Sequence, residues 1–246
     1  MNSKQTMNIV IVAIIATVTL AGTYNEINKA NAEKDEEPEF IDNFDLGACT
    51  WSSTGSNSYF VLEPGYQLVL KGREGGSLIQ LTITVLDETK IIEGIQTRVV
   101  EERETVDGSL VEVSRNFFAI CNENNNVFYF GEDVDIYQDG QIVSHDGAWL
   151  HGADGARAGL MMLGSPAEDF AYYQEVAPGV ALDRAVIESL DERVKTPAGV
   201  FEDSLEIEET TPLEPDAIDF KWYAPDIGLV KSNTLKLIEY GYVEED

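Results

Sequence analysis

The sequence predicts a mainly β protein, a single antiparallel meander that forms a curved sheet, half-barrel or barrel with at most one or two short helices. The first observation is a repeated alternation of apolar and polar residues, which is typical of strands with one buried face. The second is a series of turn signals between these runs, among which Asp107-Gly108 and Asp139-Gly140 are typical of two-residue hairpins. Sheets built from successive hairpins curl or close to protect their edges.

The N-terminal segment predicts export. Lys4 precedes an apolar run, Ile9–Leu20, and Ala30-Asn31-Ala32 fits the small-x-small pattern of a signal-peptide cleavage site. We therefore predict a signal peptide over residues 1–32 and a secreted or otherwise extracytoplasmic protein with no membrane span after cleavage. The alternative is tethering by an uncleaved signal anchor, because the apolar run can be extended from Met7 to Thr23.

Residues 33–44 predict a flexible linker, because they are acidic and interrupted by Pro38. Residues 45–243 are then predicted to form a single β domain. The predicted strands cover residues 58–62, 66–71, 78–87, 94–106, 109–121, 127–137, 141–150, 169–176, 200–209, 217–223 and 227–240. Residues 152–168 show no strand period and predict a long connection, whereas residues 181–194 fit either a helix or a strand.

Alternation also predicts which side chains of a strand face the core. The predicted inward sets are Ile79, Leu81, Ile83 and Val85; Val111, Val113, Phe117, Ala119 and Cys121; Leu205 and Ile207; and Ile218, Phe220 and Trp222. The acidic residues between them, such as Glu206, Glu208 and Asp219, are predicted to face solvent.

The charge balance excludes some partners. The chain carries 45 acidic and 16 basic residues, a formal net charge of −29. Such a surface repels nucleic acid and anionic lipid headgroups, so no nucleic-acid partner is predicted. The acidity fits solvated strand faces first, and a surface that binds cations or basic partners second.

The two cysteines, Cys49 and Cys121, predict a disulfide, because an exported chain with an even cysteine count permits one. The alternative is a pair of free buried thiols.

Few residues suggest catalysis or metal binding. His145 and His151 lie six residues apart, which is roughly 20 Å along a straight strand and too far to share one metal. Glu132 and Asp133 are weak metal candidates within an irregular acidic segment. Nucleophile, zinc-protease and phosphate-loop motifs are missing, so no catalytic residue, no cofactor and no enzymatic activity are predicted.

The aromatic residues are more informative, since adjacent aromatic pairs place rings on both faces of a strand. One face can form the core while the other lines a pocket or contacts a partner. The candidate ligand-binding residues are Phe118, Phe128, Phe130, Trp149, Tyr172 and Trp222.

Four segments carry a resemblance to known proteins: YFGED at 129–133, PAGVF at 197–201, TPLEP at 211–215 and WYAPDIGLV at 222–230. In this order they resemble a widespread family of exported bacterial and archaeal β-rich proteins without an assigned activity, distantly similar to the curled-sheet carriers of lipoprotein sorting. The resemblance implies a curved sheet and an exported location, and it supplies no catalytic residues. The chain lacks the lipid-modified cysteine of those carriers.

The sequence therefore favours a binding or carrier module for an apolar or amphipathic ligand. The first alternative is an acidic cell-surface or structural interaction protein, stabilised by cations and binding a protein partner. The second alternative is a carboxylate-dependent hydrolase, which requires two acids facing one another across a cleft.

Overall fold

The computed structural model describes residues 38–243 and consists almost entirely of β-strands. One turn of 3-10 helix, Leu46–Ala48, is the only helical element among these residues. The strands are β1 Trp51–Ser52, β2 Ser56–Asn57, β3 Phe60–Val61, β4 Tyr66–Glu74, β5 Ser77–Ile92, β6 Ile95–Val106, β7 Ser109–Cys121, β8 Val127–Gln138, β9 Gln141–Ser144, β10 Trp149–Leu150, β11 Arg157–Met162, β12 Ala171–Tyr173, β13 Glu175–Val176, β14 Arg184–Thr196, β15 Gly199–Thr211, β16 Glu214–Ala224, β17 Gly228–Ser232 and β18 Leu235–Tyr242.

One antiparallel sheet contains nearly all of these strands and confirms the predicted fold class. Its strand order is β12-β14-β15-β16-β17-β18-β4-β5-β6-β7-β8-β11-β13, so the C-terminal strand β18 pairs with the early strand β4. This pairing joins the two ends of the meander and curls the sheet into a barrel that is closed except for one seam.

A single stretch of chain crosses that seam. Strands β12 and β13 are the two edges of the sheet, yet only Gln174 separates them in sequence. The stretch pairs with β14 on one side and with β11 on the other. Gly159 on β11 permits the approach, because a Cβ atom there would lie 2.1 Å from the carbonyl oxygen of Gln174.

The N-terminal part of the described chain is fastened to the outside of the barrel. Cys49 and Cys121 form the predicted disulfide, and Trp51 pairs with Cys121 in the sheet. Ile41 forms a bridge with Tyr172 at the seam. Residues 38–44 of the predicted linker thus contact the domain, while the predicted signal peptide lies outside the described residues. Within residues 38–243, no helix has the length and apolarity to span a membrane.

Most turns lie where the sequence predicts them. Asp107-Gly108 joins β6 to β7 and Asp139-Gly140 joins β8 to β9, with positive φ at all four residues as this hairpin type requires. The prediction of a continuous connection over 152–168 was wrong, because β11 forms there and pairs with β8 and β13. The ambiguous segment 181–194 forms most of β14, since pairing with β12 and β15 favours the extended chain.

On β7 both faces are buried: the predicted residues Val113, Phe117, Ala119 and Cys121 are at most 2% exposed, but the other face lines the cavity. The barrel interior is lined there by Glu112, Ser114, Asn116 and Phe118, whereas Phe117 lies on the outer face beneath the Lys90 ammonium. On β16 the predicted inward face was wrong, because the interior side carries Lys221 and Tyr223, and Ile218 is 55% exposed. The predicted inward faces of β5 and β15 are confirmed by Leu81, Ile83, Leu205 and Ile207.

Candidate functional site

The barrel interior contains a cavity of about 180 Å³ whose lining combines two chemically different sets of side chains, which we call the apolar wall and the polar wall. The apolar wall is formed by aromatic and aliphatic side chains, among them Phe60, Tyr66, Leu68, Ile83, Phe118 and Leu229. The polar wall carries carboxyl groups and one ammonium group: Glu102, Glu112, Glu132, Glu175, Asp183, Glu209 and Lys221. The cavity is therefore amphipathic, with an excess of acids on its polar side.

Cross-strand register places the acids of β6, β7 and β8 on one wall. Glu102 pairs with Ser114, and Asn116 pairs with Glu132. Because side chains on one face of a sheet lie beside those of their paired residues, these groups form one continuous polar surface.

A bulge at Gly131 adds Tyr129 to this wall. Residues three apart on a regular strand face opposite sides, yet both Tyr129 and Glu132 line the cavity. The register shifts between Asn116 and Phe118, and Gly131 adopts a φ of 131°. A Cβ atom at Gly131 would lie 2.3 Å from the carbonyl oxygen of Trp149, so the YFGED segment needs this glycine.

One buried ion pair lies on the polar wall. The Lys221 ammonium contacts a carboxylate oxygen of Glu209 at 2.6 Å, and the Gln174 amide donates to the other oxygen at 2.9 Å. Burial favours the neutral form of Lys221, but the Glu209 carboxylate more than compensates, so the pKa of Lys221 is raised above its ordinary value. The Lys221 side chain is therefore charged at neutral pH.

The remaining acids of the wall have no such partner. Among the described residues, Glu102, Glu112, Glu132, Glu175 and Asp183 form no ion pair. Glu112 Oε2 and Asp183 Oδ1 are buried without a hydrogen-bond partner there. Burying an ionised carboxylate without a partner is costly, so such groups tend to keep their protons.

The pKa values of these acids reflect this cost. Burial, together with the neighbouring carboxyl groups of Glu104 and Glu102, raises the pKa of Glu112 to about 8. Burial and the neighbouring acids likewise raise the pKa of Glu132 to about 8. The pKa of Glu102 rises to about 7 through burial, although Lys221 partly opposes this. Several carboxyl groups of the cavity thus titrate close to neutral pH.

Two further acids line the cavity where the chain crosses and leaves the seam. Burial raises the pKa of Asp183 to about 6, and the Glu209 carboxylate adds to the rise. Burial also raises the pKa of Glu175 well above its ordinary range, with Asp183 as the next cause. Neither residue could be identified from the sequence, because their convergence depends on closure of the barrel.

Of the six aromatic ligand-binding candidates, Phe118 lines the cavity. Phe128 and Phe130 instead pack against Trp51, with ring centroids 5.5 and 5.2 Å away. Trp149 packs against Tyr129, whose own ring lines the cavity, so Trp149 supports the wall from behind.

The last two candidates also lie away from the lining. Tyr172 is fully buried at the seam, and its hydroxyl has no hydrogen-bond partner among the described residues. Trp222 lies on the outer face of β16, where the Lys231 ammonium is 3.2 Å from the ring centroid. The aromatic residues Phe60 and Tyr66 line the cavity but were not among the candidates, although Phe60 belongs to the adjacent pair Tyr59-Phe60.

The two metal candidates point to different sides of β8. Glu132 lines the cavity, whereas Asp133 is exposed and pairs with the Lys90 ammonium at 2.8 Å. Within the described part of the chain, the one group of three potential metal ligands close together is Cys49, Cys121 and Glu123, and its two cysteines form the disulfide. The structure thus does not bring Glu132 and Asp133 together.

The two histidines are also separated. His145 contacts the Asp135 carboxylate at 3.0 Å on the outer surface. His151 accepts a hydrogen bond from the backbone N–H of Ala158. Burial lowers the pKa of His151, which keeps it neutral as this bond requires. Neither histidine lines the cavity.

Comparison with known proteins adds little to this picture. No protein-family model and no curated protein matches the chain. Among solved structures, the chain is similar to a protein of Parabacteroides distasonis described as a "putative lipoprotein", at 16% sequence identity and a TM-score of 0.38, covering 76% of this chain and 100% of that chain. A likeness at this TM-score supports no conclusion about the ligand, so the residues of the cavity carry the functional argument.

Proposed function

We propose that the chain is an extracytoplasmic binding module that holds a compact amphipathic molecule inside the barrel. The observation that carries this proposal is that one cavity is lined both by apolar side chains and by carboxyl groups with one ammonium group. Ligand sites combine a mostly apolar lining with a few convergent polar groups, and this cavity has both.

The size of the cavity limits the ligand. A dry protein cavity of about 150 Å³ holds a benzene molecule. The cavity of about 180 Å³ therefore suits a ligand built on one small ring or a short alkyl chain. A whole membrane lipid does not fit unless the barrel opens.

Exposed apolar residues mark where a ligand can enter. Val180 and Leu213 both line the cavity and are 46% and 44% exposed. Val180 belongs to the turn between β13 and β14, where the chain leaves the seam. An entrance at this position lets a ligand pass apolar side chains before it reaches the carboxyl groups.

The disulfide supports an extracytoplasmic location, because such bonds persist in oxidising compartments. The apolar N-terminal run and the Ala-Asn-Ala cleavage pattern support the same address.

The proposal is tested by native mass spectrometry of the purified protein, before and after organic extraction, followed by an NMR screen of compact amphipathic probes. Ser114→Leu extends a side chain from β7 into the cavity and should abolish binding. Ser109→Leu is the matched control, because it places the same side chain on the exposed end of the same strand. Probes that bind Ser114→Leu and Ser109→Leu equally would refute the proposal. A protein that neither co-purifies with a ligand nor binds any probe would refute it as well.

A carboxylate-dependent hydrolase is a second candidate, favoured by one observation. The cavity combines Glu132, whose raised pKa of about 8 keeps its proton at neutral pH, with Glu209, whose carboxylate contacts the Lys221 ammonium. A proton donor and an ionised carboxylate in one pocket are what acid-catalysed glycoside cleavage requires. Turnover of aryl glycosides that Glu132→Gln abolishes would support this candidate, and no turnover between about pH 5 and 8 would exclude it for these substrates.

A further inference from the structure

The polar wall of the cavity contains more acid than its own cation can balance. Lys221 is already committed to Glu209 at 2.6 Å. Six other acids line the cavity and form no ion pair among residues 38–243: Glu102, Glu112, Glu132, Asp146, Glu175 and Asp183. A cavity with this composition attracts a positively charged guest and rejects an anionic one.

Glu112 shows most directly that a hydrogen-bond donor is missing. Its side chain is only 6% exposed and lines the cavity, yet its Oε2 atom has no hydrogen-bond partner among the described residues. Asp183 Oδ1, on the other side of the seam, lacks a partner in the same way. Buried polar atoms are nearly always hydrogen-bonded, so two unpartnered carboxyl oxygens in one cavity point to a donor supplied by a ligand.

The spacing of the acids favours an organic cation over a metal ion. Calcium and magnesium gather several oxygen ligands at about 2.0 to 2.6 Å, so the ligand atoms must lie close together. No three carboxylates of the cavity wall bring oxygen atoms within 4.8 Å of one another in the described structure. An ammonium group carries N–H donors that bond two carboxylates without enclosing them.

The apolar wall specifies the rest of the molecule. Phe118 lies beside Tyr129, with ring centroids 4.6 Å apart, and Tyr129 donates a hydrogen bond to Asn116 on the polar side. The aromatic surface therefore meets the carboxyl groups within a few residues of β7 and β8. Aromatic faces also attract cations, so the same surface suits an organic ammonium ion.

We propose that the cavity binds a compact organic cation, a primary ammonium ion on a small apolar body, with its N–H groups bonded to Glu112 and Asp183 and its body packed against Phe118. This inference rests on the proposed function and specifies its ligand. Binding exchanges a proton for the ammonium ion, because a carboxyl group that was neutral becomes the carboxylate that accepts the N–H bond. The proton passes to the buffer, so charge and atoms balance.

Several groups face the ammonium site and set its pH dependence. They are Tyr66 on β4, Glu102 on β6, Glu112 on β7, Tyr129 and Glu132 on β8, Asp146 before β10, Glu175 on β13, Asp183 before β14, Glu209 on β15, and Lys221 and Tyr223 on β16. The pKa values of Asp183, Glu102, Glu112 and Glu132 are raised to between about 6 and about 8, so these acids lose protons as the pH rises through the neutral range. Affinity for an ammonium ion should therefore increase from about pH 6 to pH 8.5.

The test is isothermal titration calorimetry with three probes that share the phenylethyl group: 2-phenylethylamine, 2-phenylethanol and 3-phenylpropanoate. At about pH 8 we expect the amine to bind at least tenfold more tightly than the alcohol, and the anion not to bind. Titration in two buffers with different ionisation enthalpies should show net proton release with the amine alone.

Variants separate the cavity from the general surface charge. Glu112→Gln keeps the shape of the side chain. It should lower the affinity for the amine at least tenfold and leave the affinity for the alcohol unchanged. Glu188→Gln is the control, because it removes one exposed acid from β14 and should alter neither affinity.

Each alternative outcome is distinct. Equal affinities for amine and alcohol, unaffected by Glu112→Gln, would overturn the cation inference while the proposed binding function stands. Tight binding of the anion would overturn it as well. If none of the three probes binds and the probe screen with Ser114→Leu is also empty, both the inference and the proposed function fail. Calcium that displaces the amine without proton release would assign the site to a metal and refute the organic cation.

Discussion

Replacing Glu112 with glutamine should make the protein more stable in neutral and alkaline buffer, and leave its stability unchanged in acid. The Glu112 side chain is 6% exposed, and it faces Glu104 and Glu102 on the neighbouring strand β6. Its carboxyl group is therefore buried among other acids, and glutamine has the same shape without the titrating proton.

The sign follows from proton linkage. Below about pH 4.5 the carboxyl group is protonated in both the folded and the unfolded chain, so wild type and variant behave alike. Between about pH 4.5 and 8 the folded chain keeps a proton that the unfolded chain has lost, so wild-type stability falls as the pH rises. Above about pH 8 the carboxyl group is ionised in both the folded and the unfolded chain, so wild-type stability falls no further.

The magnitude follows from the same values. A pKa that rises from 4.5 to about 8 on folding corresponds to a loss of roughly 5 kcal/mol, at about 1.4 kcal/mol per pH unit. Glu104 and Glu102 titrate in the same range, and their ionisation remains in the variant. We therefore expect Glu112→Gln to regain about half of this loss, roughly 2 to 3 kcal/mol at pH 9.

The assay is thermal unfolding followed by circular dichroism from pH 4 to pH 9. For a domain of this size the expected gain corresponds to a Tm increase of about 5 to 10 °C at pH 9. Glu188→Gln removes the same unit of charge from an exposed position of β14 and should follow the wild-type curve. Wild-type and Glu112→Gln curves that stay parallel across this pH range would show that Glu112 is ionised and solvated in the folded barrel.

Further predictions concern the elements that hold the site together. Replacing Cys49 and Cys121 with alanine should lower the free energy of unfolding by about 4 kcal/mol, because their bond closes a loop with a sequence separation of 72 residues. Denaturant unfolding with and without reductant measures this loss, and equal unfolding midpoints would contradict it. Gly159→Val should lower the free energy of unfolding by about 3 kcal/mol or more and open the seam, since a Cβ atom would lie 2.1 Å from the Gln174 carbonyl oxygen. Hydrogen exchange of the β12 and β13 amides measures the opening. Gly47→Ala, where the added Cβ makes only ordinary contacts, is the control. Lys221→Met should lower the free energy of unfolding by about 3 to 5 kcal/mol, because it leaves Glu209 buried without its cation. The double variant with Glu209→Gln should regain most of this stability. A double variant as unstable as the single one would show that the loss comes from packing.

Local sequence patterns account for a large part of the fold. Asp107-Gly108 and Asp139-Gly140 set two hairpins because Asx-Gly pairs adopt the positive φ values that such turns need. The alternation of Ile79, Leu81 and Ile83 correctly predicted the inward face of β5, where one face of the strand is wholly apolar. Strand β11 escaped prediction because its Gly-rich stretch lacks a period and depends on pairing with β8 and β13.

The acids of the cavity show where local patterns stop being informative. Glu102 and Glu112 were expected among the solvated faces, since acidic residues elsewhere alternate with apolar ones and point outward. In the structure they face the interior, where Ser114, Asn116 and Lys221 share the wall with them. No neighbour in sequence distinguishes such an acid from an exposed one, because both belong to the same period of two.

The sequence by itself determined the β class, the positions of most strands and turns, and the cysteines that pair. Each of these depends on residues that are close in the chain or, for the cysteines, on there being just two of them. Only the tertiary structure decided which face of β7 and β16 points inward, and which acids meet across the seam. Alternation specifies the two faces of a strand, but which face points inward depends on how the whole sheet closes. A barrel with a polar wall buries carboxyl groups that an open sheet would leave in water.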